Sequence, residues 1–224
     1  MYKGIDVSKW QGKIDWEKVK QSEFSDFCLI RAGYGRNNID PYAVQNIDGA
    51  KKNAIDTGLY WFSYAYTVDM ARAEANYLLD FAFSRRDFYE LPFVFDFEYA
   101  SWDYANGMGR ALTNKQVAQL AEAFCEEIEN AGCYAMIYAN YDYVKNKYLN
   151  GDKSIFDKYD LWYARYGETY CPVKYGETYC PVKYGIRQSS ATGIIPGING
   201  NVDLNETERD YRKIMVDNEL NFKR

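Results

Sequence analysis

Short apolar runs alternate along this chain with segments whose apolar positions recur every three to four residues. That alternation predicts strands and helices in turn. Lys3–Val7, Phe27–Ala32, Leu59–Ala65, Phe93–Phe97, Tyr134–Ala139 and Leu161–Ala164 read as the first six strands. Between them the pattern predicts helices over Asp15–Gln21, Ala43–Asp56, Asp69–Phe83 and from Thr113 to Asn130, then a broken helical stretch to about Tyr159. Gly58 and Gly132 read as helix stops, and Thr113 with Gln116 reads as a capping box. Beyond Leu161–Ala164 the alternation ends: Ile186–Ser189 and Asn201–Leu204 read as short strands with no helix between them, followed by a helix over Glu206–Asp217. Strands alternating with helices imply an α/β fold with a parallel sheet. Eight strands and about five intervening helices predict an irregular, TIM-like β/α barrel, with a doubly wound open sheet as the alternative. No linker divides the 224 residues, so the pattern predicts one domain with its core over 3–205.

One segment breaks this organisation. Tyr166–Lys174 reads YGETYCPVK, and Tyr175–Lys183 repeats it letter for letter. Two copies of nine residues are too few and too short for a solenoid. The expected place for them is a rim loop, where insertions cost little.

Composition narrows the chemistry. The chain has no His, which removes Ser-His-Asp and Cys-His catalysis and His metal sites. The net charge of −5 and the lack of a long basic run argue against nucleic acid as a partner. No apolar stretch reaches spanning length, so no membrane insertion is expected. The odd count of five Cys, without a C-x-x-C, argues against a disulfide framework. Cys28, Cys125 and Cys133 read as core residues, whereas Cys171 and Cys180 fall in the predicted rim loop. Met1-Tyr2-Lys3-Gly4 leads straight into a strand without a signal peptide, which leaves cytoplasmic synthesis with another exit route, or a leader already removed. Aromatic residues make up 18%, mostly Tyr, a supply of flat faces with polar handles that suits sugar binding as well as a core.

The most informative stretch is Phe93-Val94-Phe95-Asp96-Phe97-Glu98. A buried parallel strand here ends in two carboxylates two residues apart, which strand alternation turns to one side. Charges at such a position are costly and usually have a task. Their mutual repulsion and burial separate their proton affinities, so one stays ionised while the other serves as a general acid. Paired carboxyls at the carboxyl end of a barrel strand suit glycoside hydrolysis. Asp6 and Asp203 also sit at strand ends, and closing the barrel would make the first and last strands neighbours and bring these two acids together.

Four patches make the sequence recognisable: Gly4-Ile5-Asp6-Val7-Ser8 with Trp10-Gln11-Gly12, Ile30-Arg31-Ala32-Gly33-Tyr34-Gly35, Asp96-Phe97-Glu98, and Gly200-Asn201-Val202-Asp203-Leu204-Asn205. In this order and at these separations they resemble glycoside hydrolase family 25, the Chalaropsis-type lysozymes that include many phage endolysins. The resemblance implies an irregular β/α barrel that cleaves the β-1,4 bond between N-acetylmuramic acid and N-acetylglucosamine in peptidoglycan, without metal or cofactor. It implies Glu98 as acid/base, Asp96 as its partner, and Asp6 and Asp203 in the same cleft. Tyr64, Tyr138, Arg31, Gln188 and Trp162 are the candidate substrate-binding residues, with Arg31 expected to pair with the acidic cluster. The resemblance also implies action at the bacterial cell wall on glycan strands, as a phage endolysin, an autolysin or a secreted enzyme. A monomer is expected, with no separate wall-binding domain.

Residues i and i+2 of a strand have Cα atoms roughly 6.6 Å apart. That leaves open a retaining double displacement, an inversion, and the route the resemblance suggests, in which the substrate's 2-acetamido group attacks the anomeric carbon. One departure stands out: Arg187-Gln188-Ser189 falls where the family commonly has Trp-Gln-Tyr. Two other readings compete, a non-catalytic glycan-binding barrel and a chitinase-like glycosidase. The single D-x-E without a longer D-x-x-D-x-D-x-E series counts against the second, and the retained carboxylate pair counts against the first.

Overall fold

The computed structural model describes residues 1–167 and 182–221. Its strands are β1 (Tyr2–Val7), β2 (Phe27–Tyr34), β3 (Asn38–Ile39), β4 (Asp56–Phe62), β5 (Phe93–Asp96), β6 (Ala135–Asn140), β7 (Asp160–Ala164), β8 (Ile186–Gly193) and β9 (Val202–Thr207). Eight of them close into a barrel in the order β1-β9-β8-β7-β6-β5-β4-β2, with β2 pairing back onto β1, while the two-residue β3 hangs from β2. The helices are α1 (Trp16–Val19), α2 (Ala43–Lys52), α3 (Val68–Arg85), α4 (Tyr99–Gly107), α5 (Asn114–Asn130), the short α6 (Tyr141–Tyr143), α7 (Leu149–Gly151) and α8 (Ile155–Lys158), and α9 (Tyr211–Asp217). The predicted irregular α/β barrel is therefore the observed one.

Strand periodicity sorts the apolar residues into two cores. One fills the barrel with Leu29, Tyr60, Val94, Met136, Tyr138, Trp162 and Ile186, and Tyr211 and Met215 of α9 close its floor. The other lies between strands and helices, where Ile30, Leu59, Phe95, Ile137 and Leu161 meet Leu78 of α3 and Phe124 of α5. Alternate residues of β5 thus serve opposite cores: Phe93 and Phe95 face the helices and Val94 faces the interior. Burial on both faces explains why β2 is covered at every residue but its last.

The ladder is parallel from β1 through β2 and β4 to β8, but β9 runs antiparallel to both of its neighbours. The parallel sheet expected from the alternation is thus a mixed one, with β9 antiparallel. Only eight residues separate β8 from β9, fewer than the dozen or so that a parallel crossover needs. The predicted helix over Glu206–Asp217 also starts late. Glu206 stays in β9, paired with Lys3 and Arg187, and α9 begins at Tyr211 with the Asp210 carboxylate accepting from the Lys213 amide at 2.9 Å. Likewise α2 ends at Lys52, and Asp56 already pairs with Phe27 in the ladder, so Gly58 lies inside β4. There a Cβ would meet the Pro92 carbonyl oxygen at 2.8 Å, and the close approach of β4 to the chain entering β5 requires Gly.

The capping box at α5 is present: the Gln116 amide donates to Thr113 Oγ1 at 3.2 Å and the Thr113 amide donates to Gln116 Oε1 at 2.8 Å. Cys28, Cys125 and Cys133 are free and buried. Cys171, Cys180 and most of the tandem repeat lie outside the described residues. Among the described residues no helix is long and apolar enough to cross a membrane.

Candidate active site

The carboxyl ends of the parallel strands form one mouth, and β9, running the other way, brings its first residues to it. This reversal pairs Asp203 with Asp6 across β1 and β9. Asp96 ends β5 at an inward position two residues after Val94. Glu98 follows in extended conformation as the residue before α4, with its amide donating to Ser101 Oγ at 3.1 Å. Its parity with Asp96 is thereby kept although the strand has ended. Asp6, Asp96, Glu98 and Asp203 line one cleft of about 250 Å³ with Arg31, Tyr138, Trp162 and Gln188.

A polar network fixes the floor. Trp162 Nε1 donates to Asn205 Oδ1 at 2.7 Å, and Asn205 Nδ2 donates to Asp6 Oδ2 at 2.8 Å. On the other side Gln188 Nε2 donates to the same Asp6 oxygen at 2.8 Å, while Gln188 Oε1 accepts from Tyr138 at 3.2 Å and from Tyr166 at 2.8 Å. Tyr138 packs edge-on against Trp162, with ring centroids 4.8 Å apart. Gln188 and Trp162 therefore hold an acid in place as well as lining the cleft.

Two candidates lie elsewhere than expected. Arg31 reaches the cleft wall, but its ion pair is with Asp40, by Nε at 2.8 Å and Nη2 at 2.7 Å. Asp40 is fully enclosed and also accepts the amides of Lys9 at 3.0 Å and Tyr42 at 2.9 Å. It outcompetes the acidic cluster, since one buried carboxylate gathers donors from three segments. Tyr64 lies past the end of β4 and lines a neighbouring cavity, and Phe62 and Tyr60 face the cleft in its stead.

Several residues that line the cleft or support it from behind are not among the candidates above. Asn205 shares parity with Asp203, and Tyr60 shares it with Phe62, so period two was the available signal. Trp10, 75% exposed, stands at the rim with Lys9 Nζ 4.9 Å from its ring. Asp40 follows the two-residue β3, and no pattern marks it. Arg187 points away from the cleft and pairs with Glu206 at 3.1 Å.

The electrostatics follow from burial without neutralisation. Among the described residues none of the four acids takes part in an ion pair, and Arg31 relieves Asp96 only in part. Burial, then the Asp203 charge, push the Glu98 carboxyl up to about 7, with a hydrogen bond from Asp96 opposing. Burial, then the charges of Glu98 and Asp6, hold Asp96 well above the ordinary carboxylate range. Burial and the Asp203 charge do the same to Asp6 against its bonds from Asn205 and Gln188, and burial raises Asp203. Asp96 and Glu98 thus both hold a proton more tightly than ordinary carboxyls, Glu98 up to about 7, which lets one act as an acid while the other is ionised. Among the described residues no group of three or more acids or Cys has a geometry that could hold a metal ion.

The profile of glycosyl hydrolases family 25 matches residues 5–198. Lysozyme M1 of Streptomyces globisporus is 27% identical over 214 residues, which cover 95% of this chain and 70% of that protein. The uncharacterized protein YegX of Escherichia coli K12 is 27% identical over 207 residues, covering 90% of this chain and 68% of YegX. The crystal structure of the bacterial lysozyme from Streptomyces coelicolor superposes with a TM-score of 0.73 at 26% identity, covering 97% of each chain.

Proposed function

The chain belongs to glycosyl hydrolase family 25, and from that membership we propose that it is a lysozyme. It hydrolyses the β-1,4 bond between N-acetylmuramic acid and N-acetylglucosamine in the glycan strands of bacterial peptidoglycan. A single barrel carries the reaction, and the cell wall is where it acts. The observation that carries this reading is the Asp96–Glu98 carboxyl pair, buried, un-neutralised and set in the mouth of the barrel.

Asp96 and Glu98 stand two residues apart on one side of the cleft, at the end of β5 and the start of α4, which suits a route in which neither carboxylate attacks the anomeric carbon. The substrate's own acetamido group then supplies the nucleophile. Asp96, as a carboxylate, accepts the acetamido N–H, while Glu98 holds the proton. The acetamido oxygen bonds to the anomeric carbon as the glycosidic bond breaks, and the leaving oxygen takes the Glu98 proton. Asp96 stabilises the positively charged oxazolinium-like ring. Glu98, now a carboxylate, removes a proton from water as that water attacks the same carbon and reopens the ring, with net retention. Asp6 and Asp203 keep the field negative opposite this pair. Tyr138, Trp162, Gln188 and Arg31 shape the sugar-binding wall, and Tyr64 lies one step farther out.

Digestion of purified peptidoglycan by the intact protein and by Glu98→Gln tests this, with fragments reduced by borohydride and identified by mass spectrometry. New reducing ends on N-acetylmuramic acid, absent with the variant, are expected. Reduced N-acetylglucosamine ends, or no fragments at all, would overturn the reading. Proton NMR of the first product should show the retained anomer.

A further inference from the structure

A second cavity opens on the same rim, immediately beside the acidic cleft. It measures about 560 Å³, and Tyr64, Tyr66, Tyr77, Tyr104, Met70 and Met108 form its apolar walls. Its wall and that of the cleft are linked by ring packing and by α4. Phe62, a cleft residue, packs on Tyr64 with centroids 5.3 Å apart. Tyr104 belongs to α4, the helix that starts directly after Glu98, and meets Tyr64 edge-on at 5.0 Å.

The wall is held in shape from behind. Glu74 of α3, 2% exposed, accepts the Tyr64 amide on Oε1 at 3.0 Å and so ties the loop after β4 to the helix. The mouth of the cavity, in contrast, carries free charge. Arg36 is exposed and has no ion-pair partner among the described residues, and Asp69 stands exposed in the first turn of α3.

Within a stem-bearing glycan strand the sugars offer neutral hydroxyl and acetamido groups, which can hydrogen-bond a guanidinium or a carboxylate but give neither an opposite charge. The short peptide borne by the lactyl group of muramic acid offers both counterparts. It has carboxylates, a diamino acid ammonium and alanine methyls on a polar backbone. We propose that this tyrosine-walled cavity is a binding site for the peptide stem of the muramyl residue held in the neighbouring cleft. Arg36 receives a stem carboxylate, Asp69 the ammonium, and the tyrosine faces the methyl-bearing backbone. The proposal rests on the muramidase reading above and adds the stem to the substrate.

The test compares glycan strands bearing stems with the same strands stripped of stems by an amidase. Wild type, Tyr104→Ala and Arg36→Ala are assayed on both; each replaced side chain is exposed, and equal thermal midpoints confirm folding. Wild type should prefer stem-bearing strands, and each variant should lose up to about tenfold in kcat/KM on those strands alone. Equal losses on both substrates would make the cavity a sugar subsite, and no loss on either would leave it without a substrate role. Either result overturns the proposal. Failure of wild type to release N-acetylmuramic acid reducing ends from either substrate would instead overturn the muramidase reading, and the proposal with it.

Discussion

The two ends of this barrel treat the same side chain in opposite ways. At the amino-terminal end of the strands each acid has donors. Asp56 takes Arg212 Nε at 2.9 Å, Glu90 takes the Thr57 amide at 2.9 Å and Lys51 at 3.5 Å, and Asp160 takes Arg209 at 2.5 Å with the hydroxyls of Tyr134 and Tyr211 at 2.8 and 3.1 Å. At the carboxyl-terminal end, Asp6, Asp96, Glu98 and Asp203 face one cleft, and among the described residues none has an ion pair. The lower acids anchor α9 and the strand starts. The upper acids are buried and left without cations, and both conditions raise their proton affinity, that of Glu98 to about 7. Burial together with the lack of a cation separates a chemical carboxylate from a structural one here, and this matches the division of labour between the two faces of β/α barrels.

The sharpest way to break the comparison is Glu98→Gln. Activity should fall about 10³-fold or more, since the general acid is gone. Stability should respond in the other direction. A carboxyl whose folded pKa is raised is most favourable to folding below its ordinary value, and that contribution is lost as pH rises through the folded value. For Glu98 the loss is complete above about 7. The thermal midpoint of Glu98→Gln at pH 8 should therefore equal or exceed that of wild type by calorimetry, and a clear drop would mean that Glu98 is structural. Asp160→Asn should do the reverse, costing about 2 kcal/mol in denaturant unfolding through loss of its charged bonds while kcat/KM stays the same.

Asp203→Asn refines the upper half of the contrast. The Asp203 charge helps raise Glu98, so its removal should move the alkaline limb of the pH–rate profile to lower pH. A limb that stays in place would remove Asp203 from the field acting on Glu98. The smallest effect concerns a feature remote from both ends: Thr113→Ala should lose about 1 kcal/mol of stability through the α5 cap, without any change in the pH profile.

Much of this was legible in the residues, for identifiable reasons. The apolar run Phe93–Phe97 and the period-two relation of Asp96 to Glu98 survive because both cores and the mouth obey one alternation. Closure of the barrel was enough to bring Asp6 beside Asp203. The antiparallel course of β9 was written in the short spacing after β8, and period two also marked Asn205 and Tyr60. The Arg31–Asp40 pair was not legible, because Asp40 follows an irregular turn and its burial depends on Lys9 and Tyr42, distant donors. Nor was α4, whose sequence YASWDYANG buries only Ser101 and Ala105 and so carries no helical apolar stripe.

In the un-neutralised carboxyl ring Glu98 should bind its proton near neutrality. A carbon-13 NMR titration of the Glu98 side-chain carboxyl in the intact protein tests it most directly. A midpoint near 7, lowered in Asp203→Asn, is the result predicted. A midpoint at the ordinary glutamate value of about 4.3, unmoved by that substitution, would contradict it.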